Sequence, residues 1–209
     1  WYPRLLDDDS GFLNPLKFNL DAWYPPGHGD LYSCLLDKGY IDDLLKEGRE
    51  YLFISNSDNL GATVDLKILN FIINNEIPFL MEVASKTEVD TKGGVLCQNK
   101  KQIKLLEIAD VPPEHIPEFC GTDKFKFFNT NNIWINLVQI KKLLKEGTLN
   151  LDLIVNRKQI KNLNILQLET AVGSAFNSIP GAVGMHVPRN RFLPVKKTSD
   201  LLLVQSALY

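Results

Sequence analysis

Five polar residues follow directly on the apolar segment 51–54. Among them, Asn56 and Asp58 offer the most chemistry, since an amide donates and accepts hydrogen bonds and a carboxylate supplies hard oxygen ligands. In open parallel sheets, ligands bind beyond the carboxyl ends of the strands, and a carboxylate there can hold Mg²⁺ together with phosphate oxygens. The pattern therefore predicts a binding site at the end of this strand. A plain turn is the alternative, because Asn, Asp and Ser also favour turns.

A second candidate lies in the sequence PPGHGD, residues 25–30. Two prolines stiffen the approach to this segment, and Gly27 and Gly29 permit close contact between the backbone and a ligand on either side of His28. The helical pattern that follows would place a bound anion at a helix N-terminus. The alternative is a turn whose histidine has no role in binding.

Asparagines interrupt the strand-like sequence FNTNN, residues 128–132. Asn129, Asn131 and Asn132 break the alternation that a regular sheet needs, and amides suit hydroxyl-rich ligands such as sugars. An irregular edge strand or a β-bulge is the alternative. Glu107 lies in the apolar run LLEIA, where a carboxylate is costly unless it is paired. It either binds sugar hydroxyls or faces solvent.

A basic segment, RNRFLPVKKTSD, occupies residues 189–200. Four cations fall within nine of its residues, with apolar side chains between them. A cation held by an apolar segment can pair with a phosphate that bulk water would otherwise screen. The segment therefore indicates a phosphate site, and a solvated basic loop is the alternative.

The elements that position these residues alternate between strands and helices, which indicates an α/β fold. After the strand at 51–54, apolar residues at helical spacing from Val64 to Ile72 predict a helix capped by Thr63. The apolar segment 77–84 predicts the next strand, and a βαβ unit of this kind favours a parallel sheet. Further strands are predicted at 95–98, 105–109, 125–135, 151–155 and 163–169, helices are predicted to begin near 113, 137 and 169, and 201–209 is predicted as a helix or a strand.

Composition and charge narrow the classes of partner. The 209 residues carry a formal net charge of −2, which gives no field that would attract nucleic acid or a membrane surface. No segment approaches the roughly 20 apolar residues of a membrane-spanning helix, and no signal peptide is recognised. The three cysteines, Cys34, Cys97 and Cys120, are far apart and indicate a reducing compartment. We therefore expect a cytoplasmic protein that binds neither nucleic acid nor membrane.

Seven segments, in their order along the chain, resemble the eukaryotic UDP-glucose pyrophosphorylase family, the UTP–glucose-1-phosphate uridylyltransferases. They are WYPPGHGDLY (23–32), ISNSDNLGATVDL (54–66), MEVASKTEVDTKGG (81–94), LLEIADVP (105–112), KFFNTNNIWINL (126–137), LNILQLETAVG (163–173) and VPRNRFLPVKKTSDLLLVQS (187–206). The resemblance covers nearly the whole chain and is weakest over residues 1–22. It implies an α/β fold, a Rossmann-like nucleotidyltransferase domain with a mixed, mostly parallel sheet flanked by helices.

The resemblance also implies roles on the nucleotide side and the phosphate side of a site. His28 and Gly29 would contact the uridine nucleotide, and Asn56 would lie beside the sugar and the phosphates. Asp58 would lie there too, as the residue that holds Mg²⁺. Lys196 would bind the phosphates as the catalytic cation.

On the sugar side, the resemblance implies that Glu107 and Asn131 bind the glucose hydroxyls, while Asn129 and Asn132 shape the turn. The implied reaction is reversible: UTP and glucose 1-phosphate give UDP-glucose and pyrophosphate. The phosphate of glucose 1-phosphate attacks the α-phosphorus of UTP, and no general base is needed because this phosphate is already anionic. A pyrophosphorylase for another UDP-sugar and a non-catalytic fragment that binds a UDP-sugar are the alternatives.

Part of the family's pattern is not found in the sequence. The Gly-rich nucleotide loop, with its own phosphate-binding lysine, would lie upstream, and the family's β-helix domain would lie downstream. We therefore expect residues 1–209 to be a partial nucleotidyltransferase catalytic domain that can be inactive alone, and any homo-oligomer to form through the absent regions. A metal-dependent glycosyltransferase is a further alternative, although Asp58 does not begin the Asp-x-Asp pair of that class.

Overall fold

The computed structural model describes residues 1–8, 10–100 and 102–206. The strands are β1 Tyr2–Pro3, β2 Leu5–Leu6, β3 Trp23–Tyr24, β4 Tyr51–Ile54, β5 Phe79–Ser85, β6 Gly94–Asn99, β7 Gln102–Glu107, β8 Phe127–Asn136, β9 Leu153–Ile160, β10 Leu163–Thr170 and β11 Val183–His186. The α-helices are α1 Pro15–Phe18, α2 Leu31–Asp37, α3 Tyr40–Lys46, α4 Leu66–Asn74, α5 Ile116–Cys120, α6 Leu137–Lys145 and α7 Thr198–Ser206. Short 3₁₀ helices are found at Asn19–Ala22, His28–Asp30, Ile108–Asp110, Pro113–His115, Val172–Asn177 and Arg189–Arg191.

The central sheet is mixed, with the order β11-β5-β8-β6-β7 and with β4 also paired to β8. The β11–β5 pair is parallel, while β8 is antiparallel to β4, β5 and β6, and β6 is antiparallel to β7. The predicted mixed sheet flanked by helices is confirmed. The expectation of mostly parallel pairing is corrected: β4 and β5 run in the same direction, but β8 lies between them. A strand–helix–strand pattern sets the direction of two strands and leaves open which later strand is inserted between them.

Both faces of this sheet are covered, which explains why its strands read as apolar runs rather than as an alternating pattern. On one face, Phe79 packs in a cluster that includes Ile140 of α6. On the other face, Leu80 and Trp134 pack in a cluster that includes Ile72 of α4. The result is three layers, with the sheet between helices, as expected for a Rossmann-like domain.

The helix predicted after β4 is confirmed, but its predicted cap is wrong. Asp65, not Thr63, caps α4, because its Oδ1 accepts hydrogen bonds from the backbone N–H groups of Lys67 at 2.8 Å and Ile68 at 3.3 Å. Val64 precedes the helix and is 63% exposed. The spacing of the apolar residues identified the helix but placed its first turn too early.

The other predicted strands and helices are found, although some of their bounds differ, and β11 and α3 were not predicted. The helix expected from residue 169 is the 3₁₀ helix Val172–Asn177, and the segment 201–209 is helical up to Ser206; residues 207–209 of that prediction lie outside the described residues. β10 pairs with β9 and β2 in a smaller antiparallel sheet that ends at Thr170, close to His28–Asp30. Within the described ranges, no helix is both long and apolar enough to cross a membrane.

Candidate active site

A bulge in β8 places the asparagines. The register between β5 and β8 shifts so that residues 130–132 of β8 lie opposite Glu82 alone. Asn131 has φ 56°, a left-handed conformation that asparagine tolerates better than most residues. Asn129 holds it, because its Oδ1 accepts from the backbone N–H of Asn131 at 2.8 Å and its Nδ2 donates to the Asn131 side chain at 2.9 Å. We call residues 129–132 the asparagine bulge.

A cleft of about 790 Å³ opens between this bulge, the turn after β4, the loop before β6 and the segment 192–197. We call residues 192–197 the Lys196 segment. The cleft brings together residues that are far apart in the sequence and that sequence analysis predicted as site residues. They are His28, Asn56, Asp58, Glu107, Asn129, Asn131 and Lys196.

The two other predicted residues, Gly29 and Asn132, do not line this cleft. A Cβ on Gly29 would lie 2.5 Å from Oγ1 of Thr170, so the glycine serves close packing of the turn on β10. Asn132 is fully buried beneath the bulge, where its Nδ2 donates to Glu82 at 3.1 Å and its Oδ1 accepts from Asn59 at 3.0 Å. Asn132 thus supports the asparagine bulge from behind, and Gly29 packs against the end of β10.

His28 is held as a neutral hydrogen-bond donor. Its Nδ1 accepts from the backbone N–H of Val172 at 2.9 Å, which leaves the proton on Nε2. Burial lowers the pKa of His28, and the nearby charge of Glu169 opposes this only in part. The ring therefore stays uncharged at neutral pH.

Asp58 and Lys196 form an ion pair on one side of the cleft. The backbone carbonyl of Asp58 also accepts from the N–H of Val195 at 2.8 Å, which fixes the Lys196 segment beside the turn after β4. Oδ1 of Asp58 is buried and has no hydrogen-bond partner among the described residues. A buried carboxylate oxygen without a donor is an available ligand for a hard cation.

Glu107 ends β7 and lines the cleft next to the backbone of Gly94. Burial raises the pKa of Glu107 to about 7, and the negative charge of Asp110 acts in the same direction. This carboxyl group therefore changes its charge close to neutral pH. In either state it offers oxygen atoms to a hydroxyl-rich ligand.

A buried ion pair beneath the cleft was not predicted from the sequence. Glu82 is 0% exposed and accepts from Nε and Nη2 of Arg191, both at 2.7 Å. It also accepts from Nε1 of Trp134 at 2.8 Å. Glu107 was predicted as a site residue because it is a single carboxylate in an apolar strand. Glu82 is likewise the one carboxylate of the apolar segment FLMEVA, so the same pattern could have identified it.

A second arginine two residues earlier holds the loop before β6. Arg189 donates to both oxygens of Asp90, at 2.7 and 2.8 Å. Burial alone would raise the pKa of Asp90, but the hydrogen bonds from Arg189 and Thr87 outweigh it and lower the pKa overall. The carboxylate is therefore charged and anchors this wall of the cleft.

The family model described as UTP–glucose-1-phosphate uridylyltransferase matches residues 1–209. A curated relative of that name from Solanum tuberosum is 53% identical over 210 residues, which are 100% of this chain and 44% of the relative. A relative from Schizosaccharomyces pombe, described as a probable UTP–glucose-1-phosphate uridylyltransferase, is 52% identical over 91% of this chain and 38% of its own length. The chain thus spans less than half the length of these relatives.

Solved structures give the same result. A crystal structure described as UDP-glucose phosphorylase from Trypanosoma brucei is similar with a TM-score of 0.88 and 40% identity, over 96% of this chain and 46% of that chain. A variant of UDP-glucose pyrophosphorylase from Leishmania major, in complex with UDP-glucose, is similar with a TM-score of 0.87 and 38% identity, again over 96% of this chain and 46% of that chain.

Proposed function

Because the chain belongs to the UTP–glucose-1-phosphate uridylyltransferase family, we propose that it forms part of the catalytic domain of an enzyme that converts UTP and glucose 1-phosphate reversibly into UDP-glucose and pyrophosphate. One observation carries this proposal: a single cleft contains the Asp58–Lys196 pair and the side chains of Glu107 and Asn131. The first pair suits phosphates, and the second suits sugar hydroxyls.

On the sugar side, the asparagine bulge supplies rigid donors and acceptors. Asn131 is held in one orientation by two hydrogen bonds with Asn129, one donated by each residue, so little side-chain entropy is lost when a sugar binds. Glu107 faces the same space and would accept from a hydroxyl group. On the nucleotide side, the neutral Nε2–H of His28 would donate to UTP or UDP-glucose.

Uridylyl transfer depends mainly on positioning and on neutralising charge. Lys196 would bind the phosphates and stabilise the negative charge that develops as pyrophosphate leaves. The ion pair with Asp58 holds this ammonium at the cleft before substrate binds. The ammonium group is therefore already positioned when the reaction begins. No residue is required as a general base, because the attacking phosphate is already ionised.

We also propose Mg²⁺ as a cofactor held through Asp58. The buried Oδ1 of Asp58 without a donor fits an oxygen-seeking cation. No group of three or more His, Cys, Asp or Glu side chains suited to a metal occurs in the described part of the chain, so phosphate oxygens would complete the coordination. When bound, the ion would supply positive charge to the phosphates.

We place the enzyme in the cytoplasm, which is consistent with the three free cysteines, Cys34, Cys97 and Cys120. Any homo-oligomer would form through regions outside this sequence, since the chain corresponds to 44% of the Solanum tuberosum relative.

Pyrophosphorolysis tests the proposal. The full-length protein is incubated with UDP-glucose, pyrophosphate and Mg²⁺, and UTP formation is followed. Lys196→Ala should lower kcat by about 10²–10³-fold, because it removes a charge that stabilises the transition state, with less than about threefold change in UDP-glucose binding. Lys197→Ala is the matched control and should have a smaller effect, because Lys196 makes the ion pair with Asp58.

The same assay separates the alternatives. UTP formation with UDP-galactose or UDP-N-acetylglucosamine, and not with UDP-glucose, would assign another sugar. Binding of UDP-glucose without any UTP formation would assign a non-catalytic sugar-nucleotide-binding role. Transfer of glucose to acceptor alcohols, rather than to pyrophosphate, would assign a glycosyltransferase. An equal loss of binding and turnover in Lys196→Ala would contradict the transition-state role of Lys196.

A further inference from the structure

A buried polar network connects the two sides of the cleft from behind. We propose that Glu82 and Arg191 are positioning residues that hold the Lys196 segment in register with the asparagine bulge; this inference rests on the function proposed above. Neither residue lines the cleft. Both act through the residues that do.

Glu82 lies at the centre of the network and contacts the bulge through both its backbone and its side chain. Its backbone carbonyl accepts from Oγ1 of Thr130 at 2.8 Å, and its carboxylate accepts from Nδ2 of Asn132 at 3.1 Å. The bulge therefore cannot change its conformation without breaking contacts to Glu82. This fixes the sugar side of the cleft.

Arg191 connects Glu82 to the phosphate side. It donates two hydrogen bonds of 2.7 Å to the carboxylate, and a further 2.9 Å hydrogen bond from its guanidinium reaches the backbone carbonyl of Thr63. The backbone carbonyl of Arg191 accepts from Asn59 at 3.1 Å and from Asn132 at 3.2 Å. The residue directly before the Lys196 segment is thus held by its side chain and by its backbone.

Asn59 extends this hold into the Lys196 segment. Its Oδ1 accepts from the backbone N–H of Leu193 at 2.8 Å, and the carbonyl of Leu193 accepts from the N–H of Leu60 at 3.1 Å. With the hydrogen bond from Val195 to Asp58, these contacts form a continuous path from Glu82 to Lys196.

Stability does not explain a charged pair at this position. Burial of two ions costs about as much free energy as their attraction returns, and well-packed apolar residues often do as well. Glu82 is 0% exposed and the Arg191 side chain 11%. The best-attested use of such a pair is to select one geometry among several, and here that geometry sets the distance between the Lys196 ammonium and the sugar.

The test is a double-mutant cycle in the full-length protein. Arg191→Lys keeps the positive charge and loses the paired hydrogen bonds. We expect it to lower kcat for UTP formation at least about tenfold, and to lower it less than about twofold in the Lys196→Ala background, because it acts through Lys196. Equal losses in both backgrounds, or an unchanged kcat, would overturn the inference.

Two further variants keep the result independent of effects on folding. Glu82→Gln preserves the shape of the side chain and should show the same dependence on Lys196, and it replaces Arg191→Lys if that variant does not fold. Ile165→Ala, in the separate apolar cluster of the smaller sheet, controls for lost stability and should leave kcat unchanged.

Calorimetric titration with pyrophosphate in the absence of Mg²⁺ repeats the cycle as a binding measurement. If the wild-type protein binds pyrophosphate in this titration but forms no UTP in the pyrophosphorolysis assay, the proposed function fails. The binding cycle still decides the inference in that case. Coupling between Arg191→Lys and Lys196→Ala in the dissociation constant for pyrophosphate supports the inference. Additive losses of pyrophosphate binding free energy overturn it.

Discussion

At the scale of single residues, Asp58 connects the proposed phosphate site to the proposed metal. Its Oδ2 pairs with Lys196, and its buried Oδ1 has no partner among the residues described. Asp58→Asn would keep the shape of the side chain but remove the charge that attracts a divalent cation. We expect the Mg²⁺ concentration for half-maximal UTP formation to rise about tenfold, corresponding to about 1.4 kcal/mol of lost binding free energy. A Mg²⁺ titration of the initial rate measures this.

The control for this titration is Asp37→Asn, a carboxylate in the last turn of α2 that is exposed to solvent. It should leave the Mg²⁺ requirement unchanged. If Asp58→Asn shows the same Mg²⁺ dependence as the wild-type protein, Asp58 does not belong to the metal site. Its buried Oδ1 then needs another explanation.

At the scale of elements, the turn after β4 and the 3₁₀ helix Arg189–Arg191 pack so closely that only glycine fits at position 61. A Cβ there would lie 2.3 Å from the carbonyl oxygen of Asn190 and 2.8 Å from the carbonyl carbon of Arg191. Because both are backbone atoms, Gly61→Ala must push the two segments apart. We expect a loss of about 1–3 kcal/mol in stability and a fall in kcat, as for other overpacked sites. Thermal unfolding and the pyrophosphorolysis assay measure the two effects.

Gly121→Ala is the matched control for this change. The nearest atoms to a Cβ at Gly121 lie 3.5 and 3.6 Å away, which is ordinary van der Waals contact, and its φ of −65° suits any residue. We expect its stability and activity to remain close to those of the wild-type protein. A Gly61→Ala variant with the same kcat as this control would show that the Lys196 segment is positioned independently of the turn.

Local patterns in the sequence predicted the strands and helices better than they predicted which strands pair in the sheet. The apolar runs gave β4, β5 and the helix between them, because burial on both faces leaves a continuous signal. They could not show that β8, more than 40 residues later in the sequence, would be inserted between β4 and β5. The first residue of α4 was also missed, since Thr63 and Asp65 are both good caps and only the hydrogen bonds distinguish them.

The same limit applies to the site. Motifs placed His28, Asp58, Glu107 and Lys196 among the candidates, and the fold brings all four to one cleft. The Glu82–Arg191 pair was missed, because the two residues are 109 positions apart and the sequence around either one does not indicate its partner. A buried carboxylate can be suspected from an apolar strand, but its partner is known only from the three-dimensional structure.

At the scale of the whole molecule, the cleft should reduce stability as well as provide function. Burial raises the pKa of Glu107 to about 7 from an ordinary value of 4.5. Between these pH values the unfolded chain has released its proton and the folded protein has not, so the unfolded state binds fewer protons. The free energy of unfolding must therefore fall as the pH rises through this window, and the loss is complete above pH 7.

Glu107→Gln tests this, because it replaces the ionisable group with a neutral one of nearly the same shape. We expect the variant of the full-length protein to melt about 1–2 °C above the wild-type protein at pH 8, a shift that corresponds to roughly 1 kcal/mol for a chain more than twice this length, and the two melting temperatures to converge near pH 4. Glu118→Gln is the control: Glu118 is exposed and its pKa is lowered by Lys124, so its loss should not stabilise the protein at pH 8.

The binding of UDP-glucose to these two variants tests whether Glu107 contacts the sugar. If Glu107 faces the sugar, the stabilised Glu107→Gln protein should bind UDP-glucose more weakly, while Glu118→Gln should bind it as the wild-type protein does. Greater stability with weaker binding would show that the buried carboxylate is retained for recognition at the expense of folding free energy. A Glu107→Gln variant that is no more stable at pH 8 would mean that the carboxylate already has a compensating partner in the folded protein.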